Sequence, residues 1–170
     1  MLRTLSLLFL IATLAACAPA TQGSRAFAPF NMQDGPMLVS AAQTYYAAHQ
    51  TSHKRFGFDD GDFSRTKIQN PRVGKRAYKD VTDVFTATNR SLPEGWSANL
   101  VSARLVKEVK RVRRNNRVSY SRWLELIFET TVPEDAEPGE ARARIVVTGE
   151  GGQERNVTLR FTVEETLAAR

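Results

Sequence analysis

The sequence predicts an all-β protein, an antiparallel β-sandwich, preceded by a signal peptide, a tether and a short helix. Three observations predict it. From residue 78 onward apolar residues recur with period two. Pro, Gly and Asn clusters cut that region into short runs, the rhythm of a sandwich. The chain has 170 residues, which suits one domain with a single core once a leader is set aside. The expected organisation is signal peptide 1–16, tether 17–36, helix and loop extension 37–77, sandwich 78–165 and tail 166–170.

The first seventeen residues read "MLRTLSLLFLIATLAAC". Arg3 supplies a short positive region, and residues 5–14 form an apolar run of signal-peptide length. A membrane-spanning helix needs roughly 20 apolar residues, so this run is too short to remain as a span. Small side chains, Ala15 and Ala16, precede Cys17, the sole cysteine. "LAAC" at 14–17 resembles the lipobox of bacterial lipoproteins. That resemblance implies a diacylglyceryl group on the Cys17 thiol, cleavage before it, and fatty acylation such as palmitate on the new amine. Two or three chains on one residue anchor stably, where one chain is marginal. The alternative is an ordinary secretory signal with a chance cysteine. With Cys17 consumed, no thiol remains for a disulfide, a metal site or a nucleophile.

Residues 18–36 carry Pro, Gly, Ser and Gln with little periodicity and read as the tether. In 37–54, Leu38, Ala41, Ala42, Tyr45 and Ala48 or His49 fall at helical spacing. A strand stays open there, because Val39, Thr44, Tyr45 and Tyr46 favour sheet. Gly57, Gly61, Pro71 and Gly74 then mark loop, with one short strand at 66–69.

A strand is expected over 78–89, followed by the "SLPEGW" turn. The next places Val101, Ala103, Leu105 and Val109 on one side. "RRNNR" reads as a hairpin turn, since Asn tolerates positive φ. In the following strand Val118, Tyr120, Leu124, Leu126, Phe128 and Val132 share one parity, interrupted by Arg122. "VPEDAEPGE" breaks the chain again. Ala143, Ile145 and Val147 form the next inward face, "EGGQ" is a tight turn, and Val157, Leu159, Phe161 and Val163 face inward beyond it.

"TNRSLPEGWSANL", with "TVPEDAEPGEARARIVVTG" and "NVTLRFTV" after it, resembles bacterial extracellular immunoglobulin-like domains of the NEW3 or CARDB kind. Pro93, Gly95 and Trp96 match a Pro-x-Gly-Trp turn, and Pro133, Ala136 and Gly139 match a later loop. The resemblance spans about residues 79–163 and implies an immunoglobulin-like sandwich without an enzymatic site. The chain departs from that pattern in the cation density of its central hairpin.

That density is the main candidate site. Arg104, Lys107, Lys110, Arg111, Arg113, Arg114, Arg117 and Arg122 crowd one hairpin against Glu108 alone. A tip formed by Lys110, Arg111, Arg113, Arg114 and Arg117 would attract phosphates, acidic polysaccharide or anionic headgroups. Sparse aromatics argue against nucleic acid. The competing reading is a solvated, edge-protecting charge set, or one paired with the acidic C-terminal half. Residues 125–170 hold ten acidic and five basic residues, within a chain of net charge +6, so the surface should be polarised.

His49 and His53, four apart, would share a helix face and form a weak metal candidate, extended by Asp59, Asp60 and Asp62. Gln50 occupies the position where a zinc-protease helix has Glu. A calcium loop begun at Asp59 would need Glu at position 70, where Asn70 stands. Trp96 and Trp123 are expected in the core or at its rim, with a ligand platform as the alternative.

These features predict a bacterial lipid-anchored, extracytoplasmic cell-envelope protein, noncatalytic and without a cofactor. Ala18 carries no Asp-type inner-membrane retention signal, which points to the outer membrane where a cell has one. Its partners would be the membrane through Cys17 and an anionic envelope polymer or an envelope protein.

Overall fold

A computed structural model describes residues 23, 28–112 and 117–165. The signal peptide 1–16, Cys17, Arg113, Arg114 and the tail 166–170 lie outside the described residues. The described chain is all-β, with two sheets packed face to face. Strands are β1 (Phe30–Asn31), β2 (Met37–Val39), β3 (Gln43–Thr51), β4 (Arg76–Asp80), β5 (Phe85–Ser91), β6 (Ser97–Arg111), β7 (Val118–Val132), β8 (Gly139–Gly149) and β9 (Glu154–Val163). One sheet has the order β1-β3-β7-β6-β4 and the other β2-β9-β8-β5. With β3 and β5–β9 read as strands B to G, the orders are B-E-D and C-F-G, those of immunoglobulin-like sandwiches.

Several features depart from the expected architecture. The sandwich begins well before residue 78, because β1, β2 and β3 join its sheets. It is also mixed, because β1 pairs parallel with β3 and β2 parallel with β9. The helix expected within 37–54 is absent: that segment forms β2, a turn and β3. Ala47 and Ala48 sit opposite Phe128 and Ile127 of β7 and are buried. Small side chains there serve close packing on a sheet, which overrides their helix preference. Ala42 occupies the turn with φ +59°.

The strand expected over 78–89 is divided. β4 pairs with β6, whereas β5 pairs with β8 in the opposite sheet. A 3-10 turn, Thr82–Val84, carries the chain across. It is pinned by the Val81 N–H on the Ala103 carbonyl, 2.8 Å, and by the Ala103 N–H on Thr82 Oγ1, 2.8 Å. The segment 66–69 is turn and not strand, and Ile68 from it enters the core.

The core lies between the sheets. Leu124, Leu126, Phe128 and Val132 of β7 meet Ala143, Ile145 and Val147 of β8 and Leu159 and Phe161 of β9 in one cluster. Val118 and Tyr120, on the same parity, are exposed, because β6 and β7 run past the end of the second sheet. Tyr45 is fully buried, and its Oη accepts the Ser40 N–H at 2.6 Å. Gly95 has φ +73° in the turn closed by the Trp96 N–H on the Pro93 carbonyl. A type II turn requires that conformation.

Candidate functional site: the distal hairpin and its charges

β6 and β7 pair from Ser97 and Thr131 to Arg111 and Val118. Fifteen residues per strand at about 3.3 Å each make an arm roughly 50 Å long. A two-stranded ribbon is marginal alone, and this one is braced along its distal half. β4 pairs along β6 from Glu108 to Arg104. Beyond it, the Gly74 N–H bonds to the Val109 carbonyl at 2.7 Å and the Val109 N–H to the Lys75 carbonyl at 3.4 Å. Underneath, Phe63 and Ile68 are buried in the core cluster. The Val112 N–H reaches the Arg117 carbonyl at 2.8 Å, which closes the described part of the hairpin.

The cations of this arm divide by role. Arg104 Nε donates to Glu125 Oε2 at 2.6 Å, and Glu125 is 4% exposed. The guanidinium also stacks over Tyr78, 4.9 Å from the ring centre. Lys107 is buried beneath Tyr120, with Nζ donating to the Phe63 carbonyl at 2.9 Å. Burial, aided by nearby Arg122, holds its ammonium below the usual lysine range. Arg122 lies 3.6 Å from Asp60. Arg104 and Lys107 belong to the scaffold, whereas Arg122 is exposed.

Lys110, Arg111 and Arg117 stand exposed at the distal end, with Lys110 Nζ 2.9 Å from Glu108. Arg113 and Arg114 fall outside the described residues. The 71–75 turn, docked on Val109, adds Arg72 and Lys75, and β4 adds Arg76, 3.5 Å from Glu108. Sequence reading missed these three, because the pairing that brings them there is nonlocal. The nearest signal was "PRVGKR" itself, a turn with cations on both sides.

The opposite end of the arm is acidic. The 92–96 and 133–140 loops carry Glu94, Asp135, Glu137 and Glu140 around an open cleft of about 680 Å3 beside Trp96. Arg142 is its one cation, 3.5 Å from Glu140. The acidic and basic halves of the sequence thus become two ends of one arm. The Arg104–Glu125 pair is where they meet internally.

The histidines do not converge. His49 lies on β3 opposite Leu126, and burial together with Arg55 lowers its pKa. His53 lies in a 3-10 turn, edge-on to Phe63 at 4.6 Å. Its Nε2 is 3.4 Å from Asp60 Oδ1 without hydrogen-bond alignment. The helix face that would have joined them does not form. Among the described residues, no three His, Cys, Asp or Glu are grouped to hold a metal ion. The nearby acids serve a turn: Asp59 Oδ1 accepts the N–H groups of Gly61 at 2.6 Å and Asp62 at 3.1 Å. Asp62 in turn binds Lys67 at 2.8 Å, which holds its carboxyl below the usual range.

Trp96 is a core residue against Phe161, 5.2 Å between rings. Trp123 lies on the outer face of the five-stranded sheet under Arg76, 5.3 Å away. Among the described residues no helix is long and apolar enough to cross a membrane. No protein-family model, curated protein or solved structure matches the chain.

Proposed function

We propose that this is a bacterial lipoprotein, anchored through Cys17 in the cell envelope, whose sandwich is a noncatalytic binding or structural module of the NEW3 or CARDB kind. The observation that carries this reading is "LAAC" at 14–17 behind a short apolar run and Arg3. The sandwich order of the strands is consistent with the module it names. Membrane fractionation with mass spectrometry tests it. The native product should begin at Cys17 with a diacylglyceryl thioether, and Cys17→Ser should leave the protein unprocessed or unanchored. An unmodified thiol on native protein would remove the reading.

A second reading is favoured by the distal end of the arm. Six exposed cations, Arg72, Lys75, Arg76, Lys110, Arg111 and Arg117, stand there against Glu108. Such a concentration supports recognition of an anionic polymer or surface. Binding that weakens steeply with salt is expected, and salt-independent retention would count against it.

A further inference from the structure

We propose that the distal end of the β6–β7 arm, with the 71–75 turn beside it, is a membrane-contact site whose cations take anionic lipid headgroups while its exposed apolar side chains enter the bilayer interface. This rests on the second reading above and names the surface.

The apolar residues choose between a bilayer and a soluble polyanion. The described residues leave seven large hydrophobic side chains exposed, and four of them lie at this end of the arm: Val73 at 44%, Val112 at 37%, Val118 at 47% and Tyr120 at 46%. Exposed apolar residues scattered singly need no explanation, but a cluster does. Val118 pairs with Arg111 and Tyr120 with Val109 across the ladder, and Val73 precedes the glycine bonded to Val109. Each apolar side chain therefore has a cation within one or two ladder positions. A soluble polyanion would use only the cations. An interface that is anionic at its headgroups and apolar beneath them uses both, which is how peripheral segments bind membranes.

Chain length limits how that surface could meet the membrane. The Tyr46 N–H bonds to the Gly23 carbonyl, so the domain holds the chain at Gly23, six steps from Cys17. Six steps reach about 20 Å. Tyr46 pairs with Glu129, eleven residues along β7 from Val118, or about 36 Å. An anchored protein touching the same bilayer with its tip must then lie with the arm within about 35° of the membrane plane. The two attachments are compatible only in that recumbent pose.

The test uses residues 18–170, free of the apolar leader and of Cys17, with Val118→Cys labelled at position 118 with an environment-sensitive dye. Probes are vesicles of phosphatidylcholine alone, vesicles mixed with phosphatidylglycerol, and inorganic polyphosphate. The dye should shift to the blue on mixed vesicles only, and high salt should reverse the shift. A label at Thr88, on β5, should not respond. Combined Lys110→Glu, Arg111→Glu and Arg117→Glu should weaken vesicle binding by at least about 100-fold, with far-ultraviolet circular dichroism unchanged. Combined Val112→Ser and Tyr120→Ser should remove the dye shift while keeping salt-sensitive binding. Vesicle binding without a dye shift, or polyphosphate binding as tight as vesicle binding, would overturn the membrane site and leave the polyanion reading standing. No salt-sensitive binding to either probe would overturn both.

Discussion

Replacing Arg104 by Met should destabilise the protein by about 3 kcal/mol, the lower end of the range for breaking a buried ion pair. The lower end applies because the Arg104 side chain is 21% exposed, whereas that of Glu125 is only 5% exposed. The loss is dominated by what is left behind. Without Arg104, the Glu125 carboxylate, buried on the outer face of the five-stranded sheet, keeps a single long hydrogen bond, from Gln50 Nε2 at 3.3 Å. Met keeps much of the aliphatic bulk of Arg104, so the change removes the charge together with its stacking on Tyr78. For a domain of this size the melting temperature should fall by roughly 10 °C. Adding Glu125→Leu removes the stranded charge, and the double variant should return to within about 1 kcal/mol of the parent. Urea denaturation followed by both fluorescence and circular dichroism measures all three proteins, and the slopes should agree. If Arg104→Met costs less than about 1 kcal/mol, or if the two changes simply add, Glu125 is not a buried charge in need of its partner.

Three further expectations follow from backbone and titration. Ala42 holds φ +59° in an exposed turn, so Ala42→Gly should raise stability by about 1 kcal/mol in the same urea assay, and a loss would contradict the turn geometry. Gly95→Ala should cost about 2 kcal/mol, because φ is +73° and a new Cβ would stand 3.2 Å from Pro133 Cγ. The His49 pKa is lowered by burial and by Arg55, so the native state disfavours the protonated ring. That stability is fully present above the ordinary histidine pKa of about 6.5 and is lost as pH falls from there toward the lower native value. Urea midpoints across this range should decline with acidity, and His49→Gln should flatten that decline.

Much of the sandwich was legible because its last strands alternate without interruption. In β8 and β9, Ala143, Ile145, Val147, Val157, Leu159, Phe161 and Val163 all fall on the buried face, as a two-residue period requires. Two features were hidden for physical reasons. Ala47 and Ala48 look helical in isolation, yet packing against β7 decides their conformation. The crossing at Val81 and Thr82 has no Gly or Pro to mark it, since nonlocal hydrogen bonds to Ala103 make the turn. The candidate site was only partly readable. The sequence cluster mixes scaffold cations such as Arg104 and Lys107 with surface cations such as Lys110. Only burial separates them, and only the β4–β6 pairing adds Arg72 and Lys75.

The length of β6 and β7 has a consequence for recognition. Both strands have 15 residues, against 11 in β8 and 10 in β9, so the arm extends where no facing strand can cover it. An uncovered ribbon would flex, and binding through it would pay the entropy of ordering it. Here the 71–75 turn, the Phe63 carbonyl on Lys107 and the buried Ile68 fix the distal half before any partner arrives. A pre-set arm with cations at one end and Glu94, Asp135, Glu137 and Glu140 at the other is a large electric dipole. An anionic surface attracts the first end and repels the second, so approach is oriented before contact. Under the proposed membrane reading, the acidic end orients that approach without touching the surface. Neutralising Asp135 and Glu137 together removes two repelled charges, so association with an anionic surface at low salt should quicken and lose orientational bias, while the tip contacts, and therefore the dissociation rate, stay unchanged.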